Sequence, residues 1–228
     1  MKSHLKRIAA PKSWQILRKE RKWLVRSMPG AHRKERSLPL AVLIRDLLAF
    51  AKTMREVKNI LTKKQVLING KREKNEKRCV GLMDVVTFKD INESYRILID
   101  KNERIVAKKI EKKTEVDLKP YKIKNKTLVK GKVQLNFSSG GNLIVEKDIY
   151  KTGDTLLMNV QKKEPGQHFK LEKGAVIYLT GGTHIGEQGI IESIEGKKIV
   201  MKIHDQQFET LKKYAFVIGK EKSAIDIN

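Results

Sequence analysis

The stretch LPLAVLIRDLLAFAKTMREVKNILTKKQVLINGKR, residues 38–72, contains two helix patterns followed by a hairpin turn. Its first part repeats apolar residues at the spacing of one helix face, at Leu40, Leu43, Ile44, Leu47 and Leu48. Pro39 precedes them as a first-turn residue, where the missing N–H of proline costs little. We therefore predict a helix that buries this face.

A second helix and a reversing strand follow. Thr53 and Glu56 have the spacing of a capping box, which predicts a helix start ahead of the buried positions Val57, Ile60 and Leu61. Asn69-Gly70 supplies the two positive-φ residues of a tight hairpin, and residues 84–88 read as a final strand. The result is a compact helix–helix–hairpin unit of about sixty residues.

Positive charge dominates the chain and is concentrated at its start. The 228 residues include 50 Lys+Arg and 26 Asp+Glu, a formal charge of +24. Residues 1–37 alone hold twelve Lys/Arg against two Asp/Glu. Nucleic acid has a matching charge density, and each docked cation releases a condensed counterion. We therefore predict that residues 1–37 form a basic N-terminal extension without a core, which binds nucleic acid.

The remaining charge is uneven. The net charge is +5 over residues 38–100, +9 over 101–170 and zero over 171–228. The last segment therefore does not bind a partner by bulk attraction. We predict an α+β, multi-module chain whose modules follow the extension at 38–100, 101–170 and 171–228.

The last two modules read as β-rich. Short strand-like runs separated by turn signals fill residues 94–160, and the Lys-dense stretch 108–126 between them is predicted to be a loop or an edge strand. From residue 171 onward, four or five short strands predict a small β-barrel. Glu195-Gly196 forms a turn within it.

The candidate RNA-binding residues are the cations of the extension and helical unit, with one indole ring and the hairpin asparagine. Any one of these cations is most simply explained as an ordinary charged residue on the protein surface. The set as a whole is not, because few acids are near enough in sequence to neutralise it, chiefly Asp46 and Glu56 in the helical unit. Trp14 and Trp23 among the cations offer rings that stack on bases. The predicted set is Lys2, Lys6, Arg7, Lys12, Trp14, Arg18, Lys19, Arg21, Lys22, Arg33, Lys34, Arg36, Arg45, Lys52, Arg55, Lys58, Lys63, Lys64, Asn69, Lys71, Arg72 and Lys74.

A glycine-rich stretch at 181–189 invites a nucleotide-binding interpretation, which its context excludes. A P-loop needs Gly-Lys-Ser/Thr entering a helix, and a dinucleotide fold needs a strand–helix crossover, whereas strands flank this stretch on both sides. We predict a tight loop between strands, with His184 as a polar contact rather than a metal ligand. The loop residues are Gly181, Gly182, His184, Gly186 and Gly189.

No catalytic or metal-binding pattern stands out. The single Cys79 excludes an intramolecular disulfide and a multi-cysteine zinc site, and reads as a small core residue. The five histidines lack ligand spacing, and no run reaches the roughly twenty apolar residues of a membrane span. We therefore expect a soluble, intracellular, non-catalytic protein with no cofactor, metal, small-molecule substrate or membrane partner.

Several segments together resemble a known family. HLKRIAAPKSW at 4–14 and MPGAHRKERSLPL at 28–40 are similar to the opening of the archaeal and eukaryotic small-subunit ribosomal protein four, the S-four-e family. GKVQLNF at 131–137, VEKDIYKTGDTLL at 145–157 and FVIGK at 216–220 resemble its middle and end. The similarity covers essentially the whole chain in order.

The resemblance implies a fold and a role. It implies an alpha-L RNA-binding fold over 38–100, a β-rich centre and a KOW-type SH3-like barrel at the end. The implied partners are small-subunit ribosomal RNA and neighbouring small-subunit proteins, in the ribosome of the cytoplasm. One departure stands out: the family leads us to expect Asn and Arg where this chain has His184 and Glu187. The lost cation argues against rRNA contact by this loop.

Two other classes of function remain open at this point. An RNA-modifying enzyme would need an additional catalytic domain, for which this chain has no room. A KOW-containing transcription or translation factor would bind RNA transiently, and its loss from salt-washed ribosomes would distinguish it from a ribosomal component.

Overall fold

The computed structural model describes residues 4–161, 165–203 and 206–227, so the predicted contact Lys2 lies outside the described residues. The fold is mostly β, with few helices. The chain divides into two compact units. The first comprises Met1–Ile99 and Glu103–Asp117, and the second comprises Asp100–Asn102 and Leu118–Asn228.

The described residues of the first unit form nine strands and three α-helices. Its elements in chain order are β1 (His4–Lys6), β2 (Trp23–Val25), β3 (Ser37–Pro39), α1 (Leu40–Val42), α2 (Met54–Lys63), β4 (Val66–Ile68), β5 (Lys71–Arg72), β6 (Cys79–Gly81), β7 (Val85–Phe88), β8 (Glu93–Ile99), β9 (Ile105–Lys109) and α3 (Lys113–Val116). Single 3-10 turns span Arg7–Ala9, Lys34–Arg36 and Lys89–Ile91. Strands β1 and β2 pair with each other, β3 pairs with β6, and the main sheet has the order β5-β4-β7-β8-β9.

The first predicted helix is shorter and less regular than its spacing indicates. The α-helical turn α1 passes directly into a π-helical segment, Leu43–Leu47. The predicted face is buried at Leu40, Leu43 and Ile44, and half-buried at Leu47 and Leu48. Pro39 is not a first-turn residue: it ends β3 in extended conformation and occupies the N-cap of α1. Sheet pairing of Pro39 with Cys79 holds it outside the helix.

The second helix and the hairpin confirm the sequence prediction. The Thr53 side chain accepts from the backbone N–H of Glu56, and the Glu56 carboxylate accepts from that of Thr53, which completes the capping box of α2. Asn69 and Gly70 adopt φ values of 49° and 72° between β4 and β5. The Asn69 side chain also donates to Asp84 Oδ1 and accepts from the N–H of Val85. The turn is thus anchored to β7.

The main sheet extends beyond the predicted last strand. Strand β8 pairs along β7 on one side and β9 on the other, and its Ile97, Leu98 and Ile99 are buried. The predicted module boundary at residue 100 falls in the turn between β8 and β9. The sheet reaches Lys109, so β8 and β9 belong with the helical unit rather than with the central β module, and only the turn residues Asp100–Asn102 group with the second unit.

The N-terminal segment is not a coreless extension. Ala10, Trp14 and Leu24 are buried in the same cluster as Leu40, Ile44 and Val57. The Trp14 indole N–H donates to the carbonyl of Ser37 at 2.7 Å. Its apolar residues occur in short runs of up to three separated by charged or polar residues, so they form no sustained helix or strand period and periodicity missed them.

A histidine clamp ties this segment to the sheet. His32 Nε2 lies 2.9 Å from Asp84 Oδ2, and both side chains are buried. The same carboxylate oxygen accepts the backbone N–H of Gly81. The His32 ring occupies the space where a Cβ on Gly81 would lie, so glycine is required there by close approach. Nearby, Cys79 is buried as predicted, and its thiol contacts the carbonyl of Met28.

In the second unit, the part of the chain that the structure describes forms ten strands in two sheets. These are β10 (Leu118–Val129), β11 (Lys132–Phe137), β12 (Asn142–Val145), β13 (Thr155–Asn159), β14 (Pro165–Phe169), β15 (Val176–Leu179), β16 (Gln188–Glu195), β17 (Lys198–Ile203), β18 (Gln206–Leu211) and β19 (Ala215–Gly219). Both sheets are antiparallel, with the orders β12-β11-β10-β13-β14 and β18-β17-β16-β15-β19.

The Lys-dense stretch 108–126 is only in part the predicted loop or edge strand: Lys108 and Lys109 end the edge strand β9, and a short loop follows them. Part of it forms α3, and its second half begins β10, the central strand of its sheet. Ile123 on β10 is buried with Leu135 and Leu156. Lys122 fits the interior because its ammonium donates to the carbonyls of Lys213 and Ala215.

The C-terminal sheet has five strands, the upper number predicted. Its core contains Ile177, Ile191, Ile199 and Val217. Strand β18 had no separate prediction, because its polar sequence QQFETL carries a weak strand pattern. Within the described ranges, no helix is long and apolar enough to cross a membrane.

Replacing Gly81 by alanine should destabilise the first unit. The new Cβ would lie less than 3.0 Å from three atoms of the His32 ring. The ring must then leave Asp84, and we expect the free energy of unfolding to fall by about 1–3 kcal/mol. Chemical denaturation measures it. Gly30→Ala is the control, since its Cβ would meet only ordinary contacts; equal stability of G81A and G30A would contradict the clamp.

Candidate nucleic-acid interface

Exposed cations gather where α2 meets the β4–β5 hairpin. The Arg72 guanidinium on β5 donates to the carbonyl of Thr62 near the end of α2, at 3.3 Å. The N–H of Glu73 donates to the carbonyl of Val66, which places Lys74 beside the start of β4. These bonds bring together the exposed residues Lys63, Lys64, Lys71, Arg72 and Lys74. We call these five the hairpin cluster.

Few acids neutralise the hairpin cluster. In the described part of the chain, Lys63, Lys64, Lys71 and Lys74 take part in no ion pair within 4.0 Å. The acids around the cluster have other partners: Glu76 lies 3.8 Å from Lys58, Glu73 lies 3.6 Å from Arg78, and Asp90 accepts the N–H of Gln65. The cluster therefore keeps most of its charge.

Glu56 on α2 is also engaged locally. The backbone N–H of Lys52 and the Thr53 hydroxyl bond its carboxylate and lower the pKa of Glu56. The Glu56 carboxylate caps the N-terminus of α2, whereas Lys63 lies at the C-terminal end of this helix. Glu56 therefore does not neutralise the hairpin cluster. Lys52, Arg55 and Lys58 remain exposed around it.

The N-terminal segment adds a second group of exposed cations to the same unit. Its members are the predicted contacts Lys6, Lys12, Lys19, Arg21, Lys22, Arg33 and Arg36, with Lys34 half-buried. Arg21 lies 3.7 Å from Glu20, a pairing between half-exposed side chains that is worth little. Because the segment is packed into the core of the first unit, these cations lie on a folded surface.

Two predicted contacts are wrong, because their side chains are inside the protein. Trp14 is 2% exposed and cannot stack on a base. Arg7 is 1% exposed: its Nη2 lies 2.8 Å from Asp46 Oδ1 and 3.3 Å from Glu20, and its Nε donates to the carbonyl of Leu17. Both residues hold the segment in place.

Three more predicted contacts have structural partners. Arg18 donates to the carbonyls of Ile8, Ala10 and Pro11, which shapes the N-terminal segment. The Arg45 side chain is only 8% exposed and pairs with Asp46 at 2.7 Å. Asn69 bonds β7, as described above. None of these three is a free surface group.

The set of predicted RNA contacts leaves out two exposed residues of this surface, although Trp23 was named with Trp14 as a ring that stacks on bases. Trp23, not Trp14, is the exposed indole, at 47%, with His4 against its edge and the Lys22 ammonium 5.4 Å from its centroid. The two tryptophans have similar neighbours, so no local signal separates them. Lys89 is exposed and its N–H donates to the carbonyl of Gln65, beside the hairpin cluster. Pairing β4 with β7 in register would have found it.

The glycine loop of the second unit has a structural explanation for each glycine. Gly182 and Gly186 adopt φ values of 93° and 81°. Gly181 instead approaches the Tyr214 ring, and Gly189 approaches Ile203 and the carbonyl of Lys202. Only two of the four glycines therefore supply the predicted positive φ. The other two allow close packing.

His184 and Glu187 form a polar pair in this loop. His184 Nδ1 lies 3.1 Å from Glu187 Oε2, and its ring packs 4.0 Å from that of Phe208. The Lys101 ammonium lies 2.7 Å from the other carboxylate oxygen of Glu187 and lowers the pKa of that carboxyl. His184 is a polar contact, as predicted. The described residues contain no group of three or more His, Cys, Asp or Glu side chains placed to hold a metal.

Comparison with known proteins identifies the family. Residues 91–164 match the family described as "Ribosomal family S4e", and residues 1–35 match the "RS4NT (NUC023) domain". The chain is 43% identical to the small ribosomal subunit protein eS4 of Methanocaldococcus jannaschii, over 99% of this chain and 98% of that relative. The chain belongs to the eS4 family.

Further comparisons agree. The eS4 protein of Archaeoglobus fulgidus is 43% identical over 96% of this chain and 94% of its own length. The crystal structure of the 30S ribosomal protein S4e from Thermoplasma acidophilum superposes with a TM-score of 0.71 at 30% identity. It covers 82% of this chain and 97% of that protein. Membership of the eS4 family makes the chain a ribosomal protein and not an enzyme.

Replacing Arg7 should destabilise the fold of the first unit, because Arg7 is a buried structural residue and not a surface contact to RNA. Arg7→Ala leaves the Asp46 carboxylate with Arg45 alone and empties a buried volume, so we expect a loss of about 3 kcal/mol in the free energy of unfolding. Lys6→Ala, at an exposed neighbouring position, should change it by less than about 0.5 kcal/mol. Chemical denaturation compares them. Equal stabilities would contradict the structural role of Arg7.

Proposed function

We propose that this eS4 family member is a structural component of the small ribosomal subunit that binds and stabilises folded small-subunit rRNA. The observation that carries the proposal is the hairpin cluster, a set of exposed and largely unneutralised cations on one folded unit. The named relatives are small-subunit proteins, and this supports the same place for this chain, in the cytoplasmic ribosome beside other small-subunit proteins.

The binding mechanism follows from the charge and rigidity of the first unit. Lys63, Lys64, Lys71 and Lys74 neutralise backbone phosphates and release counterions. Strand pairing and the bond between Arg72 and α2 hold them in one arrangement. A rigid cationic surface recognises the shape of folded RNA, since the deep major groove of an A-form helix hides the bases.

The N-terminal segment acts as part of this rigid surface. Its cations stand on a backbone anchored by Arg7, Trp14 and Leu24. Little ordering entropy is therefore lost on binding, in contrast to an arm that folds on RNA. Exposed Trp23 supplies a ring for stacking on an unpaired base.

The finer assignments are part of the same proposal. The helices α1 and α2 with the β4–β5 hairpin correspond to an alpha-L RNA-binding fold, and the five-stranded C-terminal sheet corresponds to a KOW-type SH3-like barrel. The second unit's exposed lysines would add contacts to phosphate. A transient transcription or translation factor is not favoured, because the relatives are ribosomal proteins.

Neutralising the hairpin cluster should weaken rRNA binding and flatten its salt dependence. We choose Lys63, Lys64, Lys71 and Lys74→Gln in one variant, since deleting residues 1–37 would remove core residues. The slope of log affinity against log salt should fall by roughly three. Filter binding to small-subunit rRNA measures it.

The matched control is Lys173, Lys197, Lys220 and Lys222→Gln, which removes the same charge from exposed positions of the neutral C-terminal segment. It should leave the slope within about one unit of wild type. Equal losses from both variants would mean that net charge alone drives binding, and would refute a localised interface.

The hairpin turn provides an independent test. Gly70 and Gly131 both follow a positive-φ residue in tight hairpins, with φ values of 72° and 76°. Valine at either position should cost about 1–2 kcal/mol of stability, because it resists positive φ. Only Gly70→Val should weaken rRNA binding, since only its hairpin carries the cluster. Unchanged binding by G70V would remove the hairpin from the interface.

A further inference from the structure

Strand β18 forms a regular, open edge of the C-terminal sheet. It pairs with β17 over six consecutive residues without a bulge, from Lys198 opposite Leu211 to Ile203 opposite Gln206. In the described ranges no strand pairs with its other side. The edge therefore presents one row of backbone groups outward.

The register shows which residues present these groups. Just beyond the last residue pair of the two strands, the N–H of Lys212 donates to the carbonyl of Lys197. Lys212 and Lys197 are therefore a hydrogen-bonded pair of the ladder between β18 and β17. Bonded and non-bonded pairs alternate along an antiparallel ladder. The N–H groups of Gln207, Glu209 and Leu211 therefore point away from β17. The side chains of these three residues are exposed as well.

The other edge strands of the described five-stranded sheets are short, irregular, cationic or covered, and β18 is none of these. Strand β12 has neither proline nor lysine, but it is only four residues long. Strand β14 begins Pro165-Gly166 and pairs irregularly. Strand β5 has two residues, both cations, and β9 ends in two lysines. Strand β19 is followed by a bridge from Gly219 to Ser223. Strand β18 has neither proline nor lysine. Proteins normally blunt an open edge in these ways, so an unprotected edge indicates a strand that has a partner.

The surface beside this edge suits a protein rather than a polyanion. Its outward side chains include Leu211, exposed at 40%, and the half-buried Val200 opposite Glu209. Its charges are paired: the Lys198 ammonium lies 2.9 Å from Glu209 Oε2. Residues 171–228 hold eight Lys/Arg and eight Asp/Glu, so no cation surplus attracts phosphate.

We propose that the β18 edge binds an extended segment of a neighbouring protein in the assembled small subunit, which adds a sixth strand to this sheet. The backbone of that segment pairs with the outward groups of Gln207 and Glu209, and an apolar side chain packs on Leu211 and Val200. The inference rests on the proposed ribosomal role and adds a protein contact to it.

The test uses a proline that removes only an outward N–H. Proline at Gln207 leaves the pairing with β17 intact and blocks an incoming strand. Gln207→Thr is the matched control, because both variants lose the bond from Gln207 to Glu192. Thermal unfolding and rRNA affinity of each purified full-length variant are measured first. Glu209→Pro against Glu209→Thr repeats the comparison if Q207P melts early.

The decisive readout is a cross-link inside the small subunit. A benzophenone is attached to Leu211→Cys, since the other thiol, Cys79, is buried. The labelled chain is incorporated into small subunits, which are washed in high salt and irradiated. We expect a cross-link to another protein with threonine at 207 and its loss with proline, together with lower retention of the proline variant.

Other outcomes overturn the inference. A cross-link to rRNA, a cross-link to a second copy of this chain, or equal cross-linking with proline and threonine would each refute it. Failure of the proposed function looks different: the purified chain would not bind small-subunit rRNA, whatever residue occupies position 207.

Discussion

The packing of the N-terminal segment against the helical unit is the constraint on which the cationic surface depends. A buried guanidinium fixes it: Arg7 joins Asp46 of the π-helical turn to the carbonyl of Leu17. Trp14 adds apolar contact and one hydrogen bond to Ser37. Charged groups are costly to bury unless they are paired, so this arrangement tolerates little change. Because of this packing, the seven exposed cations of the predicted set in this segment lie on a defined backbone.

Burial also separates cations that build the fold from cations that face a partner. Arg96 illustrates the first group: it is 1% exposed, donates to the carbonyl of Glu115, and burial lowers its pKa to about 10. It therefore remains charged at neutral pH. Arg7, Arg18 and Arg45 belong with it, each held by named oxygens. The exposed cations are mostly lysines, whose strongly hydrated ammonium groups favour the surface. This division suits a protein that must fold before it meets a polyanion.

The hairpin cluster and the C-terminal sheet distribute charge in opposite ways. The hairpin cluster of the first unit repels itself and is stabilised when phosphate neutralises it. In the C-terminal sheet, acids and bases alternate across strands, as in Lys198 with Glu209. Glu187 with Lys101 and His184 is a similar balanced group. This contrast supports the two partners we propose: RNA for the first surface and protein for the second.

Local chemistry made some of this structure predictable from sequence alone. The Thr53–Glu56 capping box, the Asn69-Gly70 turn and the buried face of the first helix depend on neighbours within a few residues, so their patterns are visible in one chain. The family resemblance in separated segments was equally readable, and so was the charge contrast between the ends. The exposed cations of α2 and β5 follow from the same local patterns.

Only the tertiary structure decided which of two tryptophans faces solvent, which arginines are buried, and where the first sheet ends. Trp14 and Arg7 are buried by contacts with Ser37 and Asp46, more than twenty residues away. Strand β8 joins the first sheet because β7 and β9 flank it. These outcomes depend on contacts between residues that are distant in the sequence. The spacing of residues within a short segment does not determine such contacts.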